Sequence, residues 1–451
     1  MAEHRINKVH FIGIGGVGMS GIARVAKEKG MEVSGSDLRE SRYTQQLREA
    51  GVKIFIGQSA SNLEGLDPDV VVVSTAILEN NAEFIEAKKR NLPIWHRAKM
   101  LAALGVGHDT LAVAGTHGKT TTSSMLASTL DAMGFDPTFL IGGIVRAYGS
   151  NAHCGKGEYY VVEADESDKS FTYLDPTSVL VTNIEADHLD HYSGLDEIYQ
   201  LFGDFMGSVH EDGCCVVCGE DAGLVETAKK TGKKVLTYGF SEGCDTVVSQ
   251  YETHGVSISF TVTLPDGTAL PCSIKQNPGR HNALNAAGVL TLLMTRGVDM
   301  QKAAEALSEF MGVRRRFDLV GEADGVTILD DYAHHPNELH ALLQAVRLMH
   351  YRRVICAFQP HTYTRTKALF SEFVDALKQC DQAILAPIYA AREQNTIGIY
   401  SSDIAKEVPG AVSFDTFDEI ADYLRKNAGP NDLVLTMGAG NINTVGPMLI
   451  K

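Results

Sequence analysis

LAVAGTHGKTTTSSM, residues 111–125, is the stretch that determines the fold class of this chain. Its first four apolar residues predict a buried strand, its two glycines predict a turn, and the residues from Lys119 onward predict a helix. The free N–H groups and the positive dipole end of such a helix favour a bound anion. Lys119 adds a positive charge, and the Thr120 hydroxyl suits a phosphate-bound Mg²⁺. The pattern indicates a nucleotide phosphate loop, although Val113 stands where the usual pattern has glycine; the alternative is a glycine turn with an exposed lysine.

Length and composition describe a globular protein of several domains. The 451 residues predict about three domains, and 44% of them are hydrophobic. The net charge of −16 argues against nucleic-acid binding, which needs a strongly basic surface. No apolar run reaches the ~18 residues of a membrane span, and the N-terminus does not read as a signal peptide. We therefore expect a cytoplasmic protein without membrane insertion.

Three of the eight cysteines lie together, at positions 214, 215 and 218. Cys215 and Cys218 have C-x-x-C spacing, but no second pair lies at the distance of a zinc site. A buried strand is the favoured interpretation, and a metal or redox site is the alternative.

A second glycine pattern lies near the N-terminus, between a predicted strand and a predicted helix. Gly13, Gly15 and Gly18 fit G-x-G-x-x-G, and Asp37 ends the next predicted strand, where a dinucleotide would present its ribose. The pattern taken alone indicates NAD, but the same turn holds any diphosphate. A turn that merely packs helix against strand is the remaining alternative.

Polar side chains follow two successive predicted strands of the central region, at residues 158–164 and 179–181. The first cluster is Glu163, Asp165, Glu166 and Asp168, and the second is Asn183, Glu185, Asp187, His188, Asp190 and His191. Strand ends in α/β sheets are where ligands bind, and carboxylates are the ligands that Mg²⁺ prefers. We interpret the clusters as Mg²⁺ ligands; the alternative is a solvated acidic loop.

The order of predicted elements indicates an α/β protein of three domains, at residues 1–107, 108–314 and 315–451. The first and third are Rossmann-like. The second is of the phosphate-loop ATPase type and includes a small antiparallel β subdomain at residues 244–274. A helix from about His281 begins with side chains that either meet a nucleotide or cap the helix.

Taken in order, the motifs resemble those of the Mur ligases of peptidoglycan synthesis, and most closely the branch that adds L-alanine. These motifs are HFIGIGGVGMSGIA, AGTHGKTTT, EADESD, TNIEADHLDHY, GRHNALNAAG, RRRFD, DDYAHHP, FQPHTYTR and GAGNI. The resemblance covers essentially the whole chain and accounts for Val113, because the family uses a GTxGKT loop. It also implies that the N-terminal glycines hold a UDP diphosphate and not NAD.

The resemblance further implies a reaction and its participants. ATP would phosphorylate the lactyl carboxylate of UDP-N-acetylmuramate, and L-alanine would attack the acyl phosphate, leaving ADP and phosphate. Two Mg²⁺ ions are expected, with Mn²⁺ as an alternative metal, in a monomer or a weak homodimer. The first domain would hold the UDP-sugar, the second would hold ATP, and the third would close over ATP and bring in the amino acid. We expect the hinge for this closure near residues 312–316, just after a helix that ends at about Met311.

The resemblance assigns roles residue by residue. UDP-sugar-binding residues would be Gly13, Gly15, Gly16, Gly18, Ser20, Asp37, Ser74 and Arg97. ATP-binding residues would be Gly115, Thr116, His117, Gly118, Lys119, Thr120, Thr121, Asn183, His281, Asn282, Arg316 and Asp331. Amino-acid-binding residues would be Tyr332, His334, His361 and Arg365. Metal ligands would be Thr120, Glu163 and His188, and catalytic residues would be Lys119, His188, Arg316, His334 and Arg365.

The sequence departs from the family pattern at two points, and three alternative functions remain. No lysine occurs between Lys169 and Lys229, so the carbamylated lysine of several sister ligases is not expected, and Thr362 stands where some members have a second arginine. A ligase that recycles a murein tripeptide is the nearest alternative. An NAD-dependent dehydrogenase would leave the phosphate loop unexplained. Lys119, Glu163 and His188 argue against a non-catalytic UDP-sugar sensor.

Overall fold

The computed structural model of the chain describes residues 6–167, 169–185, 192, 194–391 and 393–450, with the backbone alone at residue 170. Within these residues three sheets are each accompanied by helices, as the α/β prediction required. The chain divides into two compact units. The first is Met1–Tyr251, Ser259–Ile274 and Arg280–Met311, and the second is Glu252–Ile258, Lys275–Gly279 and Gly312–Lys451.

The N-terminal sheet has five parallel strands in the order β3-β2-β1-β4-β5. Its strands are Lys8–Ile12 (β1), Glu32–Asp37 (β2), Lys53–Ile56 (β3), Val70–Val73 (β4) and Ile94–His96 (β5). Its helices are Val17–Glu28 (α1), Arg42–Glu49 (α2), Ala82–Lys89 (α3) and Arg97–Leu104 (α4). The strand order reverses beside β1, and such a reversal opens a crevice at the carboxyl ends of the strands. The glycine turn after β1 therefore lies at a ligand-binding edge.

A fully buried polar network joins the elements of this domain. His10 Nδ1 lies 2.9 Å from Ser34 Oγ, and His10 Nε2 lies 2.8 Å from Glu83 Oε2. Asn62 donates to the other oxygen of Glu83 at 2.9 Å. Because a buried polar group without a partner is costly, these bonds fix how α3 packs on the sheet.

The central sheet has ten strands in the order β15-β14-β13-β12-β11-β10-β6-β9-β7-β8. The strands are Asp109–Ala114 (β6), Thr138–Val145 (β7), Ser150–His153 (β8), Tyr159–Glu163 (β9), Ser178–Val181 (β10), Cys215–Cys218 (β11), Val235–Gly239 (β12), Thr246–His254 (β13), Ser257–Thr263 (β14) and Ala269–Ile274 (β15). The helices are Lys119–Ala132 (α5), Leu195–Gly207 (α6), Ala222–Lys230 (α7), Arg280–Met294 (α8) and Met300–Ser308 (α9). The strands of the predicted β subdomain extend this sheet at one edge.

Strand β6 lies between β9 and β10 and is parallel to both. The phosphate loop, Glu163 and residues 182–185 therefore leave the sheet at the same edge. The cysteine segment forms β11, which is buried along its length, as predicted. In the described part of the chain, no group of three or more His, Cys, Asp or Glu side chains is arranged to hold a metal ion.

The third sheet has six strands in the order β16-β17-β21-β18-β19-β20, all parallel except β16. Its strands are Asp318–Ala323 (β16), Val326–Asp331 (β17), Arg353–Phe358 (β18), Gln382–Leu385 (β19), Val412–Ser413 (β20) and Asp432–Met437 (β21). Its helices are Pro336–Arg347 (α10), Tyr363–Ala368 (α11), Phe370–Leu377 (α12), Ser401–Glu407 (α13), Phe417–Asn427 (α14) and Val445–Ile450 (α15). Alternate residues of the central strands enter two cores, one on each face, which explains their unbroken apolar runs.

The segment expected to act as a hinge is a sequence of turns. The preceding helix, expected to end near Met311, ends at Ser308. Positive φ angles follow at Gly312 (84°), Arg315 (64°) and Phe317 (51°). No helix among the described residues is long and apolar enough to cross a membrane.

The buried carboxylate of Asp432, at the start of β21, gives a test of the third domain. Arg352 donates to it at 2.9 and 2.7 Å, and Arg353 donates at 2.7 Å. Burial alone would raise the pKa of this carboxyl, but the two arginines hold it at about 2. The ordinary pKa of an aspartate is ~3.9. The stabilisation of the folded protein by this carboxylate is therefore complete above about pH 4 and is lost as the pH falls towards 2.

We therefore expect Asp432→Asn to lower the free energy of unfolding by about 2 kcal/mol near pH 7, because charged hydrogen bonds are lost. The difference from the wild type should shrink as the pH falls below about 4. Urea unfolding at several pH values measures both. Asp375→Asn, which changes an exposed carboxylate beside Lys378, is the matched control and should have little effect at any pH. An Asp432→Asn deficit that does not vary with pH would contradict this account.

Candidate functional site

The turn between β6 and α5 can be built only with glycine at two positions. Gly115 has a φ of 133°, and a Cβ there would lie 2.0 Å from the Thr182 hydroxyl oxygen. Gly118 has a φ of 85° and is the N-cap residue of the helix that begins at Lys119. The backbone N–H groups of the first helical turn have no acceptor within the helix, so the turn presents them as an anion site. This is the geometry that the sequence predicted for a phosphate loop.

The loop is held in place by the residues that follow β10. Asn183 accepts from the His117 N–H through its side chain at 2.9 Å and from the Thr116 N–H through its backbone at 3.0 Å. The Thr182 hydroxyl donates to the His117 carbonyl at 2.6 Å, and the Glu185 N–H donates to the Thr116 hydroxyl at 2.8 Å. Asn183 was expected to bind ATP; the described contacts make it a support of the loop, and direct binding stays a prediction.

The ammonium group of Lys119 is fully engaged within the protein. It donates to the Gly115 carbonyl at 2.5 Å, the Thr116 carbonyl at 3.1 Å and Glu166 Oε1 at 2.7 Å. Burial lowers the pKa of Lys119, but the carboxylates of Glu166, Asp165 and Glu163 outweigh it, so the net pKa is raised. The lysine is therefore charged and lies inside the turn.

Glu166 belongs to the first acidic cluster, which was interpreted as Mg²⁺ ligands, but in the structure it pairs with Lys119. Its side chain is buried, and no described residue bonds its Oε2 atom. Burial raises the pKa of this carboxyl to about 7, although the adjacent Lys119 opposes the change. The signal available in the sequence was its place in the EADESD cluster, which does not show which carboxylate faces the lysine.

Two of the predicted metal ligands lie together at the loop. The Thr120 hydroxyl donates to Glu163 Oε1 at 3.1 Å, and the Gly142 N–H donates to Glu163 Oε2 at 2.8 Å. Burial raises the pKa of the Glu163 carboxyl. One carboxylate and one hydroxyl beside a phosphate loop fit Mg²⁺, which binds few protein ligands and completes its shell with water and phosphate. The third predicted ligand, His188, lies outside the described residues, as do Asp168, Asp187, Asp190 and His191.

The N-terminal domain contacts the central domain beside this carboxylate. Arg97 Nη2 lies 3.3 Å from Asp165 Oδ2, and the Asn151 side chain donates to the Val17 carbonyl at 3.1 Å. A cavity of about 80 Å³ lies between the two domains. It is lined by Gly18, Ile22, Arg97, Leu101, Leu140, Ile141, Gly142, Asn151, Glu163 and Asp165. The cavity therefore connects the N-terminal glycine motif with Glu163.

The N-terminal glycine turn differs in detail from the expectation. Asp37, predicted to bind the UDP-sugar, accepts a hydrogen bond from the Gly15 N–H at 2.8 Å and so braces the turn. The Ser20 hydroxyl donates to the Val17 carbonyl of its own helix at 3.0 Å. Gly16 caps α1, and Ser74 follows β4 at the same edge of the sheet. Their contacts with a UDP-sugar remain predictions.

The start of α8 reaches the phosphate loop through a residue that the sequence analysis missed. A Cβ on Gly118 would lie 3.2 Å from Asn285 Oδ1. Asn285 donates to Asn282 Oδ1 at 3.3 Å, and Asn282 Nδ2 lies 3.1 Å from His281 Nε2. Asn285 lies one helical turn after Asn282, so helical spacing was the signal that pointed to it.

The predicted amino-acid-binding residues form a cluster in the third domain. The ring of His334 lies 5.4 Å from that of Tyr332 and 6.0 Å from that of His361, measured between centroids. His361 also stacks on Tyr389 at 5.5 Å. Burial lowers the pKa of His334 to about 4, and burial and the nearby Arg365 lower that of His361. Both imidazoles are therefore neutral at pH 7.

Two predicted nucleotide-binding residues of this domain have structural partners. Arg316 lies 3.5 Å from Glu338 Oε1. Both oxygens of Asp331 accept backbone hydrogen bonds at 2.7 Å, from Phe317 and from Ala333. Burial raises the pKa of Asp331 to about 6. Asp331 thus fastens the turn after Arg316 to β17, and contact with a ribose stays a prediction.

Comparison with known proteins gives matches along the whole chain. The domain described as "Mur ligase family, catalytic domain" matches residues 8–108, "Mur ligase middle domain" matches 113–293, and "Mur ligase, glutamate ligase domain" matches 315–440. A protein named UDP-N-acetylmuramate--L-alanine ligase from Carboxydothermus hydrogenoformans is 43% identical over 98% of this chain and 96% of its own length. A protein of the same name from Trichlorobacter lovleyi is 44% identical over 99% of each chain. The crystal structure of the UDP-N-acetylmuramate-alanine ligase of Thermotoga maritima has a TM-score of 0.83 at 28% identity and covers 98% of both chains.

Replacing Glu166 tests whether it competes with phosphate for Lys119. We expect Glu166→Gln to bind ADP about fivefold more tightly, which corresponds to about 1 kcal/mol, because phosphate no longer has to displace a charged partner of Lys119. Calorimetric titration without metal measures the affinity. Asp165→Asn is the matched control, since Arg97 and the Ser167 N–H hold that carboxylate, and its effect should be smaller. Weaker ADP binding by Glu166→Gln would show instead that the carboxylate orients the lysine for phosphate.

Proposed function

The chain belongs to the Mur ligase family, and from that premise we propose that it joins L-alanine to the lactyl carboxylate of UDP-N-acetylmuramate while ATP is converted to ADP and phosphate. The observation that carries the proposal is the shared sheet edge at which Lys119, Thr120 and Glu163 meet, beside the cavity that reaches the N-terminal glycine motif. The names of relatives 43% and 44% identical to this chain support the choice of substrates.

The first step needs positive charge, because two anions must approach each other. A carboxylate oxygen of the lactyl group attacks the γ-phosphorus of ATP, and the bond to the bridging oxygen of ADP breaks. Lys119 and the first-turn amides of α5 would stabilise the charge on the phosphates during this transfer. Mg²⁺ held by Thr120 and Glu163 would supply further charge neutralisation when bound.

The second step forms the amide bond. The neutral amine of L-alanine attacks the carbonyl carbon of the acyl phosphate, phosphate leaves with the bridging oxygen, and the amine loses a proton. We assign the recognition of L-alanine to the cluster of Tyr332, His334, His361 and Arg365. The guanidinium of Arg365 is the natural partner for the carboxylate of the amino acid. The neutral imidazoles of His334 and His361 fit an amine site, because they do not repel a positively charged ammonium group.

The remaining assignments complete the proposal. We propose residues 1–107 for the UDP-sugar, residues 108–314 for ATP and residues 315–451 for the amino acid. We also propose Mg²⁺ as the metal, with Mn²⁺ as a substitute, a cytoplasmic location, and a monomer or weak homodimer. His188 as a metal ligand and Arg316 as a phosphate-binding residue stay predictions from the family motifs.

A phosphate-release assay with UDP-N-acetylmuramate, ATP and a panel of amino acids tests the function. We expect phosphate release with L-alanine and a product that is one alanine residue heavier by mass spectrometry. The control reaction replaces the amino acid with a preformed murein tripeptide. Activity with the tripeptide alone would favour the recycling ligase and overturn the proposal.

Lys119→Ala should reduce kcat by about 10²-fold or more, because the lost charge meets the phosphoryl group as its charge redistributes. Lys230→Ala is the matched control, because it removes an exposed lysine of the same domain whose described ion pair is with Glu226. Steady-state phosphate release measures both variants. Near-normal turnover by a folded Lys119→Ala protein would contradict the role of this lysine.

Arg365→Ala should raise the KM for L-alanine by at least about tenfold, because a charge-assisted bond to the carboxylate is lost. The KM for ATP should stay within about twofold, since the phosphate loop lies in another domain. Lys367→Ala, on the same helix α11, is the matched control. If Arg365→Ala changes kcat but leaves the KM for L-alanine unchanged, the arginine does not hold the amino acid.

A further inference from the structure

The backbone of Gly142 lies against the carboxylate of Glu163. The Gly142 N–H donates to Glu163 Oε2 at 2.8 Å, while the Thr120 hydroxyl donates to Glu163 Oε1 at 3.1 Å. The two residues lie on neighbouring parallel strands, since Leu140 of β7 pairs with Val162 of β9. Each oxygen of the carboxylate thus has one fixed donor, and these two donors set its orientation.

A side chain at Gly142 would displace the carboxylate of Glu163. A Cβ there would lie 2.7 Å from Glu163 Oε1, 3.1 Å from Cδ and 3.2 Å from Oε2. Gly142 is not among the glycines with positive φ, so the requirement for glycine here is one of space and not of backbone conformation. Glycine within a strand often marks such a close approach.

The strand is irregular at this point, which brings the glycine to the carboxylate. The pairing of β7 with β8 changes register between Leu140 and Val145, and Gly142 lies inside that interval. Irregularities of this kind occur near active sites, where they redirect a backbone group. The sequence signal was the pair of glycines within the apolar strand TFLIGGIV, which predicts an interruption but does not identify what the interruption contacts.

We propose that Gly142 is a positioning residue for the divalent metal of this enzyme: its N–H and its lack of a side chain hold Glu163 where, together with Thr120, it binds the ion. The proposal rests on the proposed function for the identity of the site. Gly142 does not contact the reacting atoms in this assignment. It acts through the carboxylate, as supporting residues around metal ligands commonly do.

Gly142→Ala tests the proposal through metal binding. Mn²⁺ serves as the probe, and its binding in the presence of ADP is followed by electron paramagnetic resonance. We expect the variant to bind Mn²⁺ about tenfold more weakly, the usual effect of disturbing a residue that orients a metal ligand. ADP affinity measured without metal should stay within about twofold, and the thermal midpoint should be close to that of the wild type.

Gly243→Ala is the matched control. A Cβ at Gly243 meets no atom within 4 Å, and the position does not have a positive φ. The substitution therefore adds the same methyl group to the same domain without a contact. It should leave Mn²⁺ and ADP affinities unchanged.

A second comparison separates the contact with Glu163 from general damage to the strand. Glu163→Asp withdraws the carboxylate by one methylene group, so the added methyl at position 142 no longer collides with it. We expect Gly142→Ala to cost less than about twofold in Mn²⁺ affinity when it is introduced into Glu163→Asp, against about tenfold in the wild type. Equal losses in both backgrounds would overturn the proposal.

The outcomes distinguish this inference from the ligase function. Wild-type Mn²⁺ affinity in Gly142→Ala would reject the positioning role and leave the ligase assignment intact. Loss of UDP-N-acetylmuramate binding with unchanged Mn²⁺ affinity would also reject it, because Gly142 lines the cavity between the domains as well. Weakened Mn²⁺ binding by Gly142→Ala, together with a wild-type protein that ligates no amino acid, would support the positioning role of Gly142 and reject the ligase function.

Discussion

The hydrogen bonds between residues 115–118 and residues 182–185 are the constraint on which the rest of the site depends. Glycine allows the positive φ angles at residues 115 and 118 but also leaves the loop flexible, and a loop of exposed amides has little to hold its shape. The bonds to Asn183 and Thr182 supply that support. They are possible because β6 and β10 are parallel neighbours, so their carboxyl ends meet. The topology of the sheet therefore determines the position of the anion site.

The sequence could predict the elements with strong periodicity and the loops with fixed chemistry. The strand, turn and helix predicted around Lys119 agree with the structure because apolar pattern and glycine placement act locally. The edge strands β16 and β20 were not predicted. Strand β16 is partly exposed, and β20 has only two residues. The helix before the third domain ends at Ser308 and not near Met311. Turns with positive φ follow it, and the pattern of apolar residues does not reveal such turns.

Residues whose roles depend on tertiary contacts were beyond the reach of sequence patterns. Asp37 has the position expected of a ribose-binding acid, yet its described partner is the Gly15 N–H. Glu166 is one of several carboxylates in a short run, and only the fold shows that it faces Lys119. Gly142 is one of many glycines, and its contact with Glu163 exists only after β7 pairs with β9. Motif spacing identifies the kind of chemistry, while the partner of each group is fixed by strands distant in sequence.

The balance of charge around the loop supports the proposal of a divalent metal at this site. Among the described residues, Glu163, Asp165 and Glu166 surround Lys119, and Arg97 pairs with Asp165. Three carboxylates thus face two cationic side chains before any nucleotide is bound. Under the proposed function, a triphosphate and a carboxylate substrate would add further negative charge beside these groups. Lys119 alone does not offset that charge, so in the proposed site the carboxylate that Gly142 and Thr120 contact would bring in a cation, and its placement would matter as much as that of the lysine.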